Sequence, residues 1–334
     1  MRVFVTGATG FVGSHLVHTL LNRGHHVSCL VRSPEKAART FRHASPTIVH
    51  GDLDHPTALH TGAKEADLVF HVAGLTAARD LDEFLTVNNG GTERVLAAAA
   101  EVAPHLQRFV YVSSLAAVGP TQRGSPATEA SGPHPVSNYG MSKLAGEAAT
   151  RVSSLPWTIV RPPAVYGPRD VELLRVFKLA RFGFAPVFGD GTQELSFVHV
   201  TDLVDALILA ATDTDPGKVY FACHGEIVTV RDFVEQVHEA VRHVTSPRHR
   251  QPRPPRRIRI PVWIAKSVLT ANGTLSRMLG RRTLLSADKS RELLADAWTC
   301  AAAALERDTG WTARIPLHEG LATTAQWYRE NGWL

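Results

Sequence analysis

MRVFVTGATGFVGS, residues 1–14, sets an apolar run (Val3, Phe4, Val5), three spaced glycines (Gly7, Gly10, Gly13) and the start of an apolar helical pattern in immediate succession. Strand, glycine turn and helix in that order are what a dinucleotide pyrophosphate requires. Gly7 permits the tight turn, Gly10 lets backbone approach a phosphate with no Cβ in the way, and Gly13 lets the helix pack closely on the strand. Exposed N–H groups along Thr9, Gly10, Phe11 and Val12 and the positive end of the helix then face the anion. A glycine triad alone is a weak signal, and its place between strand and helix is what gives it weight.

Outward from that stretch the pattern keeps alternating. Strands are expected over 3–6, 26–31, 47–50, 67–72, 108–113 and 157–161, with helices over 11–22, 88–102 and 138–152. Such alternation predicts an α/β protein with a doubly wound parallel sheet and helices on both faces. Beyond Pro162 the texture changes to a helix over 171–181, a GDGT turn from Gly189, a strand over 195–200, a helix over 202–211, a strand over 219–222 and a helix from Val230. The expected division is a dinucleotide-binding domain over 1–165 that also receives about 195–225, and a smaller, mainly C-terminal substrate lobe from 166–194 and 226–334.

Composition narrows the function class. At 334 residues, 44% hydrophobic and 20% charged, the chain reads as globular rather than fibrous or disordered. A net charge of +5 suits an anionic cofactor or substrate as well as a nucleic acid and does not choose between them. Cys29, Cys223 and Cys300 are odd in number, far apart and in apolar surroundings, which predicts reduced thiols and no metal site. With no basic leader before the first strand and no run of eighteen apolar residues, a cytoplasmic protein is expected. The one biased segment, 242–259, carries seven arginines among four prolines with no acid, and its proline density predicts an irregular surface loop. The stretch 261–279, with Trp263, Ile264, Val268 and Leu269 to one side, reads first as a core-packed helix and second as a peripheral membrane contact beside that loop.

The end of the second strand bears on the cofactor. An NAD site normally places Asp or Glu there for the ribose hydroxyls, and this chain has Val31, Arg32 and Ser33 instead. A guanidinium and a hydroxyl suit a ribose 2′-phosphate, so NADP(H) is favoured over NAD(H). Asp52 and Leu53, after the third strand, fall where the adenine end would lie, and Ala73 ends the fourth strand where backbone would meet the ribose and nicotinamide.

The chemistry is carried farther on. The run FVYVSSLAAVG, 109–119, is a strand emerging into Ser113 and Ser114, and Tyr139 and Lys143 follow in YGMSK at a helix start. Four residues apart they share a helix face, where the ammonium is expected to lower the phenol's pKa and fit Tyr139 for acid–base work. Lys143 would also hold the nicotinamide ribose, and Ser114 the substrate oxygen as charge develops on it.

TGATGFVG, HVAG, VNNGGT, VYVSS, YGMSK, RPPAVYGPRD and SFVHVTDLVDA, in this order over nearly the whole chain, resemble the extended short-chain dehydrogenase/reductase family. The resemblance implies a Rossmann sheet of about seven strands and catalytic roles for Ser114, Tyr139 and Lys143, with Ser113 the alternative serine. It places Pro162 and Val165 at the nicotinamide end and gives Asn88 a structural role near the site. It also implies a homodimer through helices 88–102 and 138–152. Within the family the chain is closer in pattern to the dihydroflavonol reductase and 3β-hydroxysteroid dehydrogenase branch. That predicts hydride transfer between the cofactor and a carbonyl or secondary alcohol of a small, fairly apolar substrate, with no nucleic-acid partner. The competing reading is a nucleotide-sugar epimerase or dehydratase with retained NAD; Val31 and Ala116 depart from that branch's usual acid and threonine. A non-catalytic dinucleotide-binding regulator would have no need of the full Ser, Tyr and Lys set.

Overall fold

The computed structural model describes residues 1–245, 256–260, 291–292 and 295–334. In chain order these form β1 (Arg2–Thr6), α1 (Phe11–Asn22), β2 (His26–Val31), α2 (Pro34–Thr40), β3 (Thr47–His50), α3 (Pro56–Ala63), β4 (Leu68–His71), α4 (Leu81–Phe84), α5 (Gly91–Val102), β5 (Arg108–Val112), α6 (Asn138–Val152) and β6 (Trp157–Arg161). There follow β7 (Ala164–Tyr166), α7 (Leu174–Arg181), β8 (Phe184–Phe188), β9 (Glu194–His199), α8 (Val200–Thr212), β10 (Lys218–Phe221), β11 (Ile227–Thr229), α9 (Val230–Thr245), β12 (Arg256–Ile260), β13 (Ala297–Trp298), α10 (Ala303–Thr309) and α11 (Leu317–Glu330).

Seven strands pair in parallel in the order β10-β6-β5-β4-β1-β2-β3, the Rossmann-type sheet expected. Because successive side chains alternate faces, each strand feeds two cores. Val3 and Val5 of β1, Leu68 and Phe70 of β4, and Val110 and Val112 of β5 meet Leu16, Leu20, Leu203 and Leu207 of α1 and α8 on one face. Phe4, Val69, Phe109 and Tyr111 meet Leu59, Val95 and Ala99 of α3 and α5 on the other. Covered on both faces, such strands read as nearly continuous apolar runs, which is why they were visible in the sequence. Strand order reverses between β1 and β4, and the crevice at their carboxyl ends is where sheets of this kind take ligands.

A second body of structure lies beyond β6. β7, β9, β11 and β13 form a small sheet, and Phe177 of α7, Phe233 and Val237 of α9, and Leu321 and Tyr328 of α11 share its core. The C-terminal segment docks as a helix and tail, with the rings of Tyr328 and Trp333 stacked. Leu305 of α10 and Trp311 pack instead beneath the seven-stranded sheet.

Three expectations change. Helix α5 begins only at Gly91, because Leu85–Gly90 winds as a π turn that carries Asn88. The Asp170 carboxylate takes the amides of Glu172 (2.8 Å) and Leu173 (3.3 Å), but helix α7 starts at Leu174 rather than 171, since the amides of Arg175 and Val176 bond the carbonyls only three residues back, Glu172 (3.4 Å) and Leu173 (2.9 Å), and wind the first turn too tightly for an α-helix. The arginine-rich segment is regular at both ends: α9 runs on to Thr245, and β12 pairs in parallel with β8, a partner that no local count of prolines could foresee. Residues 246–255 and the stretch 261–279 lie outside the described residues. No helix among the described residues is long and apolar enough to cross a membrane.

Candidate active site

The glycine turn sits where β1 meets β4. Gly7 has φ +72°, and a Cβ there would stand 2.6 Å from the Ala73 amide nitrogen, so two backbones meet at a distance only glycine allows. A Cβ on Gly13 would strike the Gly7 carbonyl oxygen. Helix α1 begins at Phe11 with no side-chain cap and no acid in its first turn, so the helix itself supplies no counter-charge to its positive end. Thr9, Gly10, Phe11 and Val12 line this turn, and the arrangement fits a dinucleotide pyrophosphate.

Behind the cradle a buried histidine ties the elements together. His71 Nδ1 lies 2.6 Å from Thr6 Oγ1, and its Nε2 lies 3.0 Å from Thr92 Oγ1. Thr92 donates onward to the Asn88 carbonyl (2.6 Å), so the imidazole donates through Nε2 and accepts through Nδ1. Burial holds its pKa down to about 3, which keeps it neutral. Asn88 in turn clamps the loop after β4: its amide oxygen accepts from Leu75 N–H (2.7 Å), and its amide nitrogen donates to the Leu75 carbonyl (3.0 Å) and to Ser142 Oγ (2.9 Å).

Ser114 follows the carboxyl end of β5 and Tyr139 stands in the first turn of α6, and the serine hydroxyl is close enough to act on the phenol. Phe84 packs against the Tyr139 ring at 6.1 Å between centroids. One turn along α6, the Lys143 ammonium donates to the Val112 carbonyl (2.7 Å) and lies over the Tyr111 ring at 4.3 Å. It also reaches toward Gly74, 3.8 Å from where a Cβ would stand there. Ser114, Tyr139 and Lys143 are thus brought to one edge of the sheet. Leu115, next to Ser114, donates its N–H to the Pro162 carbonyl (2.9 Å), which places the end of β6 alongside. Val165, on β7, packs partly against the core below.

The electrostatics differ from the expectation that Lys143 lowers the Tyr139 pKa. Burial pushes the phenol up; the Ser114 hydrogen bond opposes that, while the carboxylates of Glu172 and Glu292 add to it. Lys143 is itself pulled down to about 7 by burial, with Glu147 acting against the shift. Its ammonium is directed at a β5 carbonyl rather than at the phenol, and sequence spacing along α6 could not show that.

Ser113 and Ser114 are separated by the alternation of strand faces. Ser113 Oγ donates to Glu147 (2.6 Å), and the same carboxylate takes Arg161 through Nε (2.8 Å) and Nη2 (2.6 Å) and Arg151 through Nη2 (2.9 Å). Ser114 remains as the hydroxyl facing Tyr139. The Glu147–Arg161 pair was passed over in the sequence; its signal was an acid one turn beyond Lys143 on the inward face of α6.

At the adenine end, Arg32 is exposed after β2, close enough to act electrostatically on Asp52, and no hydrogen bond engages it among the described residues. Ser33 is less free than its sequence position implied: its hydroxyl accepts the Lys36 amide (3.1 Å) to cap α2 and donates to Glu35 (2.7 Å). Asp52 accepts from His55 Nδ1 (2.5 Å) and the Asp54 amide (2.9 Å), and the Leu53 carbonyl takes Arg94 Nε (2.7 Å).

Comparison with known proteins agrees with this fold. The family model described as the NAD-dependent epimerase/dehydratase family matches residues 3–223. Ceramide reductase of Caulobacter vibrioides is 36% identical over 336 aligned residues, covering 99% of this chain and 96% of that protein. The 4-hydroxy-2-methyl-3-oxo-4-farnesyl-3,4-dihydroquinoline-1-oxide ketoreductase of Stigmatella aurantiaca is 34% identical, covering 70% of this chain and 71% of its own. Among solved structures, MoeE5 in complex with UDP-glucuronic acid and NAD superposes with a TM-score of 0.76 at 28% identity, covering 99% of this chain and 100% of that one.

Proposed function

The chain belongs to the NAD-dependent epimerase/dehydratase family, and on that premise we propose that it is an NADP(H)-dependent oxidoreductase acting on a carbonyl or secondary alcohol of an apolar, lipid-like substrate. Membership makes it an NAD(P)-dependent enzyme of redox chemistry; the cofactor form, the substrate class and the residue roles are our reading. One observation carries it: Ser114, at the carboxyl end of β5, and Tyr139, in the first turn of α6, are close enough for the serine hydroxyl to act on the phenol, one helical turn from a buried Lys143 held by the Val112 carbonyl and beside the glycine cradle. The ceramide reductase and ketoreductase relatives favour a ketone or alcohol on an apolar body.

A bound nicotinamide dinucleotide supplies the hydride donor or acceptor. The cradle at Gly7–Gly13 would hold its pyrophosphate, Ala73 and Pro162 would bring backbone to its ribose and nicotinamide end, and Arg32 would hold a 2′-phosphate. Tyr139, kept protonated by burial, donates its proton to the substrate oxygen during reduction and recovers it during oxidation. Ser114 hydrogen-bonds the same oxygen and fixes its position. Lys143, held by the Val112 carbonyl and the Tyr111 face, sets an amine that is a cation below about pH 7 beside the reacting groups.

The nucleotide-sugar reading retains one support, the likeness to MoeE5 over the full chain. Denaturing protein purified without added cofactor and counting the released nucleotide decides between them. Little retained nucleotide, with NADPH bound more tightly than NADH, supports the exchanging reductase. One NAD per chain overturns it.

A further inference from the structure

Helix α7 turns Phe177 and Ala180 into the lobe core. Arg175, Lys178, Leu179 and Phe182, spaced i, i+3, i+4 and i+7, share its outer face. All four are exposed. Leu179 is 44% and Phe182 73% accessible, with Val171 (61%) before them and Phe184 (38%) after. Nine large apolar side chains are exposed among the described residues, and four of them fall within 171–184. Single exposed apolar residues need no explanation, whereas a cluster rimmed by one sign of charge marks a docking surface.

The rim is cationic. Arg175, Lys178 and Arg181 make no ion pair with any described residue. Glu172 is the only acid of 171–184, and its carboxylate accepts from Thr76 Oγ1 (2.9 Å), across the loop that follows β4. Lys178 and Arg181 also suit the negative end of α7, but that account leaves the four exposed apolar side chains unexplained.

The patch begins near the site, because Val171 adjoins Glu172, whose carboxylate accepts from Thr76 on the loop after β4 and acts electrostatically on Tyr139. We infer that the face over 171–184 seats the protein on an anionic lipid bilayer, from which the site takes its substrate; the delivery step rests on the oxidoreductase reading above, the docking itself does not. The surface is a helix face with a phenylalanine at its tip, not a groove, so Phe182 and Leu179 can enter the acyl boundary while the long basic side chains reach lipid phosphates. A second copy of the same face would oppose cation to cation, and an acidic protein would leave the apolar side chains unsatisfied.

The test is flotation of the full chain with vesicles of phosphatidylcholine containing about 30% phosphatidylglycerol, and with phosphatidylcholine alone, in ~0.1 M salt. The expected result is flotation with the anionic vesicles only. Lys178→Glu with Arg181→Glu weakens it about twenty-fold or more, and Leu179→Ser with Phe182→Ser at least about fivefold, with melting temperatures unchanged because these side chains are exposed. Turnover of a water-soluble short ketone stays at the wild-type level in both variants, while turnover of a vesicle-borne long-chain ketone falls with vesicle binding. Wild-type protein that fails to float, or variants that float as well as wild type, overturn the docking surface. Flotation as described by a protein that reduces no ketone overturns the oxidoreductase reading and leaves docking supported.

Discussion

Removing the Glu147 carboxylate has a cost that the structure lets us work out. Its side chain is fully inaccessible and that of Arg161 is 5% exposed, and the two are joined by a pair of charge-assisted hydrogen bonds. Glu147→Ala leaves the Arg161 guanidinium buried without its counter-charge and takes the acceptor from Ser113. Breaking a buried pair from one side costs about 3–5 kcal/mol. At an unfolding entropy near 2.1 cal/mol/K per residue, a chain of 334 residues has about 0.7 kcal/mol/K, so the melting temperature falls by roughly 4–7 °C. Arg151 is the control, since its side chain is 36% exposed; Arg151→Ala costs about 1 kcal/mol or less, near one degree. Burial alone would raise the Glu147 pKa, but Arg161, Ser113 and Arg151 outweigh it and hold the carboxyl below its usual range. Its stabilisation is therefore present above the unfolded carboxylate pKa of about 4.3 and lost as pH falls through the lower folded value, so the gap between wild type and Glu147→Ala narrows in acid. Thermal melts from neutral to acid pH read both effects. A Glu147→Ala protein melting within about a degree of wild type at neutral pH, or an Arg151→Ala protein losing as much, refutes the argument.

Further outcomes follow from the site. Tyr139→Phe should lower turnover by about 10²–10⁴ while dinucleotide binding measured by fluorescence stays intact; normal turnover removes Tyr139 from the chemistry. Ser114→Ala should lose turnover with little change in melting temperature, and Ser113→Ala the reverse, so identical profiles would contradict the separation of the two serines. Asp170 is buried and raised to about 6, so its folded form binds more protons than the unfolded chain between about pH 4 and 6 and its contribution is lost as pH rises through 6. Asp170→Asn keeps the acceptor for the Glu172 and Leu173 amides and should melt up to roughly 4 °C higher near pH 8, the gain vanishing near pH 4; a variant melting lower at pH 8 contradicts this. Arg32→Ala should weaken NADPH far more than NADH in calorimetric titration, and equal weakening would show that Arg32 does not read a 2′-phosphate.

What was legible in the sequence was local. The bounds 11–22 and 138–152 could be read because the apolar spacing, the glycines at 10 and 13 and the cap at Ser137 all act within a few residues of the helix they define. Buried parallel strands were legible for the same reason, being apolar on both faces. Contacts across the chain were not. The π turn at Asn88 is held by Leu75 and by Ser142, the latter 54 positions away. Lys143 was correctly placed on the Tyr139 face, yet its ammonium answers to a strand carbonyl 31 residues back, so spacing alone assigned its electrostatic effect to the wrong group. The two serines that follow β5 point opposite ways, Ser113 to Glu147 and Ser114 toward Tyr139, and differ only through what each meets. The strand at 256–260 exists because β8 offers it hydrogen bonds, and its proline-rich approach hid it.

Hydride transfer from the nicotinamide to a carbonyl carbon is tested by isotope. NADPH carrying deuterium at nicotinamide C4 is incubated with the protein and a panel of long-chain ketones, and the products are analysed by mass spectrometry. Deuterium is expected on the carbinol carbon with wild type, and labelled product should fall by about 10²–10⁴ with Tyr139→Phe. Unlabelled products throughout, together with conversion of an added nucleotide sugar by protein that keeps its own NAD, would contradict that expectation.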